Sequence, residues 1–531
     1  MFYSPQHRVI VYDHPFPGQV VASIPGAKQL TDTKVAVPDD LHSLQIARLL
    51  NLPAPPLLDM MQYDWPSLPG RTPFAHQRHM ASFHALHPRS FNLSQMGTGK
   101  TLSCLWAADF LMRVGAVQRC LIISPLSTLV RVWQDEIIRN FTGRRTSTIL
   151  HGDRDRRIAR LGDKHDFYIV NHDGISIGSG TAGPRSTVGD FAALLRDRDD
   201  IDLVIADECS AYKDARTRRT MVLKAVIEKK PYVWLLSGTP TPQSPTDAYS
   251  LAKLVGNLPG ESFRSFQGRT MRKITEYKWA PRVDASAIVH KALQPAIRYS
   301  RAECIDLPEC LIETRDVALS PTQDKAYKDL KKNFRVVLGE GKAVTAINEA
   351  VLRLKLIQIA CGAVYGPDRE VHKTDAAPRV SVLKEVIAEA GAKILVFAPF
   401  TAVVEMLYKE LRSEYGSGAV ARVYGGTSQG QRNEIFRAFE QEAEPRIIVA
   451  DPGTMSHGLS LIAADTTIWF GPTDRNEIYE QANARMARPG QKNTMLIVRL
   501  TSTPAEREIF KRLADRSSMQ GAILTLVEED R

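Results

Sequence analysis

The stretch Ser94-Gln95-Met96-Gly97-Thr98-Gly99-Lys100-Thr101 lies between a short apolar run, Phe91-Asn92-Leu93, and a periodic segment from Leu102 to Met112. A strand running into a glycine loop that opens a helix is the context in which a GxGK[ST] string becomes a phosphate cradle. Gly97, Thr98 and Gly99 would let consecutive backbone N–H groups converge on a β-phosphate. Lys100 would reach the β- and γ-phosphates, and the Thr101 hydroxyl would hold Mg²⁺. The full pattern carries a glycine five residues before Gly99, where this chain has Ser94.

The loop sits in a chain of 531 residues, more than one hydrophobic core usually serves, so two large domains with attachments are expected. Hydrophobic content of 44% and charged content of 24% are those of a globular protein with proper cores. The net charge of +10 is compatible with a polyanionic partner. Six cysteines form no CxxC pair, which points away from zinc and from a disulfide framework. The N-terminus shows no basic patch followed by an apolar run, and no stretch of eighteen apolar residues occurs. The reading is therefore an intracellular protein with no membrane partner.

Outward from the loop, residues 1–70 mix strand-like pieces such as Arg8 to Tyr12 with many prolines, and read as an accessory region and linker without assigned chemistry. Residues 71–250 alternate apolar strands (Cys120 to Ser124, Phe167 to Val170, Ile201 to Ala206, Tyr232 to Ser237) with helices such as Leu129 to Asn140 and Arg219 to Glu228. A second such set fills 379–531, with strands at Lys393 to Ala398, Val420 to Tyr424, Arg446 to Ala450, Thr467 to Phe470 and Leu496 to Val498. Alternation of this kind predicts α/β domains with mostly parallel sheets, and a working cleft at the carboxyl ends of the strands. The intervening 251–378 read as mainly helical, with basic and aromatic residues mingled from Phe263 to Trp279.

Three further strings carry chemistry. Asp207-Glu208 ends an apolar run, so that Asp207 would hold Mg²⁺ and Glu208 would orient or deprotonate an attacking water. Ser237-Gly238-Thr239-Pro240 ends the next strand and could report nucleotide state. In Gln481 to Gln491, Arg485 and Arg488 stand three apart on an expected helix, sharing a face. Two arginines offered by a separate domain would stabilise a transferring phosphoryl only on closure. The basic string Arg144, Arg145, Arg154, Arg156, Arg157 and Arg160 reads either as a nucleic-acid contact or as solvated surface.

Together these ordered strings resemble the motor core of superfamily 2 helicases and translocases, most closely the Swi/Snf branch and its short phage and bacterial forms, from about Pro73 to Ser518. The resemblance implies two tandem RecA-like P-loop domains with a mainly helical insertion. It makes Gln77 the glutamine that reads adenine. Ser124, Pro125 and Trp133, the last packing in a WxxE pattern with Glu136, become strand-contact and coupling elements, joined by His172. Ser237, Gly238 and Thr239 become the coupling motif, Gly458 and Ser460 a DNA-contacting motif, and Gln481, Arg485 and Arg488 the final motif, with Arg488 as arginine finger. Where the family has a histidine two residues beyond the acidic pair, linking the ATP and DNA sites, this chain has Ser210 after Cys209.

The function implied is Mg²⁺-dependent ATP hydrolysis driving translocation on duplex or branched DNA, with RNA kept open, by a cytoplasmic or nucleoid-associated protein acting as a monomer. Two alternatives stand beside it: a strand-separating helicase, and a nucleotide-gated DNA-binding protein of weak turnover.

Overall fold

The apolar runs spaced between periodic helices form two all-parallel sheets in the computed structural model. It describes residues 1–177, 189–276, 279–304, 307–337, 346–366, 368, 370–455, 460–488 and 490–529. The first sheet has seven strands, ordered from one edge as Ala296–Ile297, Arg89–Asn92, Tyr232–Leu236, Ile201–Ala206, Arg119–Ser124, Phe167–Asn171 and Ser147–Ile149. Every residue of Tyr232–Leu236 is buried, as expected of a central parallel strand covered on both faces. Register places Leu236 beside Asn92 and Leu235 beside Ala206, so three neighbouring strands end together. Beyond their carboxyl ends lie the glycine loop, Ser237-Gly238-Thr239 and Asp207-Glu208.

The second sheet has six strands in the order Cys310–Asp316, Met495–Thr501, Ala464–Trp469, Lys393–Phe397, Ile447–Ala450 and Val420–Val423. Its core is clamped by a buried pair, Arg379 Nη1 donating to Glu506 Oε1 at 2.7 Å. Arg379 also donates to Phe470 O (3.0 Å) and Ser502 Oγ (2.9 Å), and the second oxygen of Glu506 accepts from the Ser502 and Thr503 amides.

The chain between the two large units is mainly helical, including Pro321–Val337 and Ala346–Cys361, yet it also gives an edge strand to each sheet. Cys310–Asp316 carried no periodic signal because, as an edge strand, it leaves Leu311 and Ile312 exposed. The N-terminal residues form an antiparallel sheet of four strands whose apolar side merges with the first domain's core. The proline-rich stretch after it is laid down on that domain: Leu57 and Leu58 are buried, and Trp106 Nε1 donates to Pro66 O at 2.7 Å.

The last helix, Pro504–Glu529, has no counterpart among the expected elements. It begins with Ile509, Phe510 and Leu513 in the second domain's core and ends with Ile523, Leu524 and Val527 in the first domain's. A rigid rod of 26 residues, about 39 Å long at 1.5 Å per residue, therefore braces both domains. Among the described residues no helix is long and apolar enough to cross a membrane.

Candidate active site

Gly97 and Gly99 both take positive φ, +90° and +85°, and Gly99 caps the helix Lys100–Arg113. A side chain at Gly99 is excluded twice over, by the left-handed backbone and because a Cβ there would meet Gln77 Nε2 at 2.0 Å. The first-turn N–H groups of the helix thus stay open for an anion. Gln77 is set by its own helix start, its Oε1 accepting from Phe74 N at 3.1 Å. Lys100 Nζ donates to Ser94 O. Burial lowers the pKa of Lys100, while Glu208 and Asp207 draw it back up. Thr101 is half-buried in the first turn. Thr98 Oγ1 donates to Gln95 O at 2.8 Å, and Thr98 O meets His76 Nε2 at 3.0 Å, so the loop is tied from both sides.

Ser94 explains its departure from glycine. It is fully buried, and its hydroxyl accepts the Tyr299 amide at 3.0 Å, fastening the loop to the segment 295–301. That segment runs alongside the phosphate-loop strand, and at its end Arg301 bridges the two domains. Its amide donates to Gln95 Oε1 (2.8 Å) and its Nη1 to Ala487 O (3.0 Å). Sequence reading missed Arg301, since nothing local distinguishes it from any loop arginine.

The acidic pair follows Ile201–Ala206. Asp207 Oδ1 accepts from Glu208 N at 3.0 Å and Oδ2 from Trp133 Nε1 at 3.1 Å. Glu136 Oε2 accepts from Asn140 Nδ2 (2.8 Å), while the Trp133 indole turns inward to Asp207. Glu208 adopts a left-handed backbone, φ 49° and ψ 53°, a conformation that costs a non-glycine residue about 1–2 kcal/mol. Its carboxyl is pushed up to about 8, by burial first and then by Asp207 and Glu477, against the pull of Lys100 and Arg485. Its Oε2 is buried with no hydrogen-bond partner among the described residues. Burial likewise pushes the Cys209 thiol far up, leaving it inert.

From the second domain, Arg485 is buried with Nε on Met455 O at 2.7 Å, and Arg488 Nε donates to Ala484 O at 3.2 Å. The expected helix stops at Asn483, before both arginines. The Arg485 carbonyl is taken by Leu461 N (3.0 Å) instead of a helical N–H, so the chain turns there. Both guanidiniums nonetheless feel the charge of Glu208 from the other domain. Burial lowers Arg485 to about 9 and Arg488 to about 10, Glu208 opposing both shifts, and each keeps its charge at neutral pH. Gln481 is buried with both amide atoms unpartnered among the described residues.

The remaining expected residues fall around this centre. Gly238 lies over the phosphate loop, a Cβ there coming 3.7 Å from Met96 N and Ser94 O. Ser237 Oγ accepts from Thr239 N (3.0 Å), and Thr239 Oγ1 is buried without a partner among the described residues. Ser124 and Pro125 are buried, Ser124 Oγ accepting from Thr128 Oγ1 at 3.2 Å, and His172 Nδ1 bonds Tyr212 OH at 2.7 Å. Pro125, His172, Glu208 and Lys213 face Gln429 and Arg432 across an interdomain groove of about 530 Å³. Ser460 is exposed; Gly458 lies outside the described residues. Ser210, standing where the family's histidine would be, donates its hydroxyl to Glu477 Oε1 at 2.9 Å, directly across the domain boundary.

The basic string is held by the protein's own groups. Arg144 and Arg145 enclose the fully buried Asp109, Arg154 pairs with Asp155 and Asp190, and Arg156 with Asp153. Arg157 and Arg160 donate to the carbonyls of Gly152 and Ile149.

A phosphate loop and an acidic pair on one parallel sheet, met by two arginines from a second, define a superfamily 2 nucleoside-triphosphatase. The family model described as SNF2-related domain matches residues 93–361, and that described as Helicase conserved C-terminal domain matches 378–490. The chain belongs to the SNF2-related family, and the expected ATPase motor of Swi/Snf type is borne out. It is similar to putative protein p41 of Acyrthosiphon pisum secondary endosymbiont phage 1, 25% identical over 484 residues, covering 85% of this chain and 98% of that one. It resembles the DNA repair and recombination protein RAD54-like of Gallus gallus, at 23% identity over 81% of this chain. It also resembles the transcription regulatory protein SNF2 of Saccharomyces cerevisiae, at 22% over 84%. The chain spans 63% and 27% of the length of those two relatives. Against a Sulfolobus solfataricus SWI2/SNF2 ATPase core in complex with dsDNA, identity is 21% and the TM-score 0.38, covering 87% of this chain and 94% of that one.

Proposed function

We propose that this chain is a DNA-dependent ATPase that translocates on duplex DNA, with tandem RecA-like domains closing on ATP. The observation that carries the reading is the direct joining of the two domains at this site: Arg301 links Gln95 of the phosphate loop to Ala487 beside the two arginines, and Ser210 beside the acidic pair bonds Glu477. In this reading Gln77 meets the adenine, the loop from Gly97 to Thr101 wraps the phosphates, and Lys100 compensates the β- and γ-phosphate charge. Glu208 takes a proton from the attacking water; a carboxyl raised toward neutrality suits a general base. The two arginines stabilise charge on the transferring phosphoryl, with Arg488 as the finger.

The oxygen donors Asp207 and Thr101 are of the hard kind that Mg²⁺ takes, and the unpartnered Glu208 Oε2 leaves acceptor capacity beside them. When bound there, Mg²⁺ would neutralise charge on the phosphate oxygens. The groove with Pro125, His172, Lys213 and Arg432 supports a partner gripped by its phosphates, and backbone grip suits movement along a duplex. Likeness to proteins named for DNA repair and recombination supports DNA over RNA.

Phosphate release is expected to rise with duplex DNA and to be lost in Lys100→Ala and Glu208→Gln. Displacement of a triplex strand without unwinding of a tailed duplex would separate translocation from strand separation. Release that persists in Lys100→Ala would refute the assigned site.

A further inference from the structure

The segment joining the groove to the metal carboxylate has an unusual turn. Between the short turn Leu126–Thr128 and the α-helix Asp135–Phe141, residues Leu129–Gln134 are wound as a π-helix, with the Asp135 amide reaching back to Val130 O. Such turns are rare and recur at functional sites. This one carries Trp133, whose side chain is fully buried. A buried indole N–H needs an acceptor, and a main-chain carbonyl would serve the core equally well. Instead Trp133 Nε1 donates to Asp207 Oδ2 at 3.1 Å, 74 residues away just beyond the end of the strand Ile201–Ala206.

The consequence is geometric. The other oxygen, Oδ1, is already held by the Glu208 amide at 3.0 Å, so two fixed donors define the plane of the carboxylate. A carboxylate offers about four lone-pair sites, so both oxygens keep capacity for a cation after accepting these bonds. Without the indole, Oδ2 has no other donor among the described residues. At the opposite end of the segment, Thr128 Oγ1 donates to Pro125 O at 2.8 Å, and Pro125 to Ser127 form part of the groove wall. The segment that orients Asp207 is therefore continuous with the surface offered to nucleic acid.

We propose that Trp133 is a positioning residue for Asp207: its N–H, delivered by the π-turn, fixes the carboxylate in the orientation that holds Mg²⁺ with the nucleotide. The inference rests on the ATPase reading. Loss of a group that orients a metal ligand typically weakens metal affinity by about 10–100-fold.

The test follows binding of a fluorescent, non-hydrolysed ATP analogue to the full chain as Mg²⁺ is titrated. It compares wild type, Trp133→Phe, and a protein carrying benzothienylalanine at 133, which keeps the shape of the indole and lacks its N–H. Both replacements are expected to raise the Mg²⁺ concentration at half-effect by about 10-fold or more. Nucleotide affinity in EDTA and, for the benzothienyl protein, the melting temperature should be unchanged. An unaltered Mg²⁺ midpoint in the benzothienyl protein overturns the positioning role and makes Trp133 a packing residue. A wild type without Mg²⁺-dependent nucleotide binding overturns the ATPase reading itself, and the inference with it.

Discussion

Acidification should loosen the floor of the phosphate loop, and the amount follows from two buried histidines. His84 is fully buried on the helix Ala75–Leu86, its Nδ1 on Ser90 Oγ at 3.1 Å and its Nε2 on Asn92 Nδ2 at 3.2 Å. Nε2 faces an amide N–H₂, a donor, so the neutral ring is the form that fits. Burial lowers His84 to about 3 and His87, whose Nε2 accepts from Arg48 Nε at 3.3 Å, to about 4. Both values lie below the unfolded value of about 6.5. The unfolded chain therefore binds the extra protons, and the stability these rings contribute is complete above pH 6.5 and lost as pH falls toward 4 and 3. At pH 5 the loss is about 2 kcal/mol for each ring.

The effect reaches the site because Asn92 Oδ1 accepts from Ser94 N (3.2 Å), and the Ser94 carbonyl takes Lys100. The assay is hydrogen exchange of the amides in Arg89–Asn92, corrected for intrinsic rates, at pH 7.5 and 5.0 in wild type and His84→Gln. Wild-type protection should fall by about 2 kcal/mol more than that of His84→Gln, with nucleotide affinity falling in parallel. Equal losses in the two proteins would refute the reasoning.

Ser210→Ala should remove the hydroxyl bond to Glu477 and weaken domain closure by about 1.5–3 kcal/mol, a charge-assisted bond's range. DNA-stimulated turnover would fall by about 10- to 150-fold with nucleotide binding retained; unchanged turnover would count against this contact. Arg379→Met leaves Glu506 charged and unpaired in the second domain's core, and should cost about 3–5 kcal/mol, with Arg379→Met/Glu506→Leu recovering most of it in a melting experiment. Arg144→Ala/Arg145→Ala should destabilise the first domain around Asp109 and leave DNA affinity unaltered. Arg432→Ala, on the groove, should weaken DNA binding and lower its salt slope by about one. Reversal of that pattern would return the basic string to the nucleic-acid interface.

Much of this site could be read along the chain because its parts are local. Positive φ at Gly97 and Gly99, an apolar strand before Ser94 and a periodic helix after it are all encoded within a score of residues. Asp207-Glu208 and Ser237-Gly238-Thr239 are legible in the same way, each at the end of a strand that its own pattern announces, and the two arginines by their spacing of three. The helix expected to carry Arg485 and Arg488 was overextended. What ends it, Leu461 taking the Arg485 carbonyl, is a contact with another part of the chain.

Residue order and local pattern by themselves determined two α/β domains and a phosphate loop, because strands, helices and glycine turns follow from neighbouring side chains, and the resemblance of the ordered motifs added the SNF2-related ATPase. Tertiary structure alone decided which polar groups meet. Ser210 finds Glu477 across 267 residues, Trp133 finds Asp207 across 74, and Arg144 and Arg145 close on Asp109 instead of facing solvent. Only the tertiary structure shows Arg301 joining the phosphate loop to the arginine turn, and the last helix running from one core into the other. Such pairings leave no periodic trace, since a buried donor needs an acceptor within about 3 Å but puts no constraint on its distance along the chain.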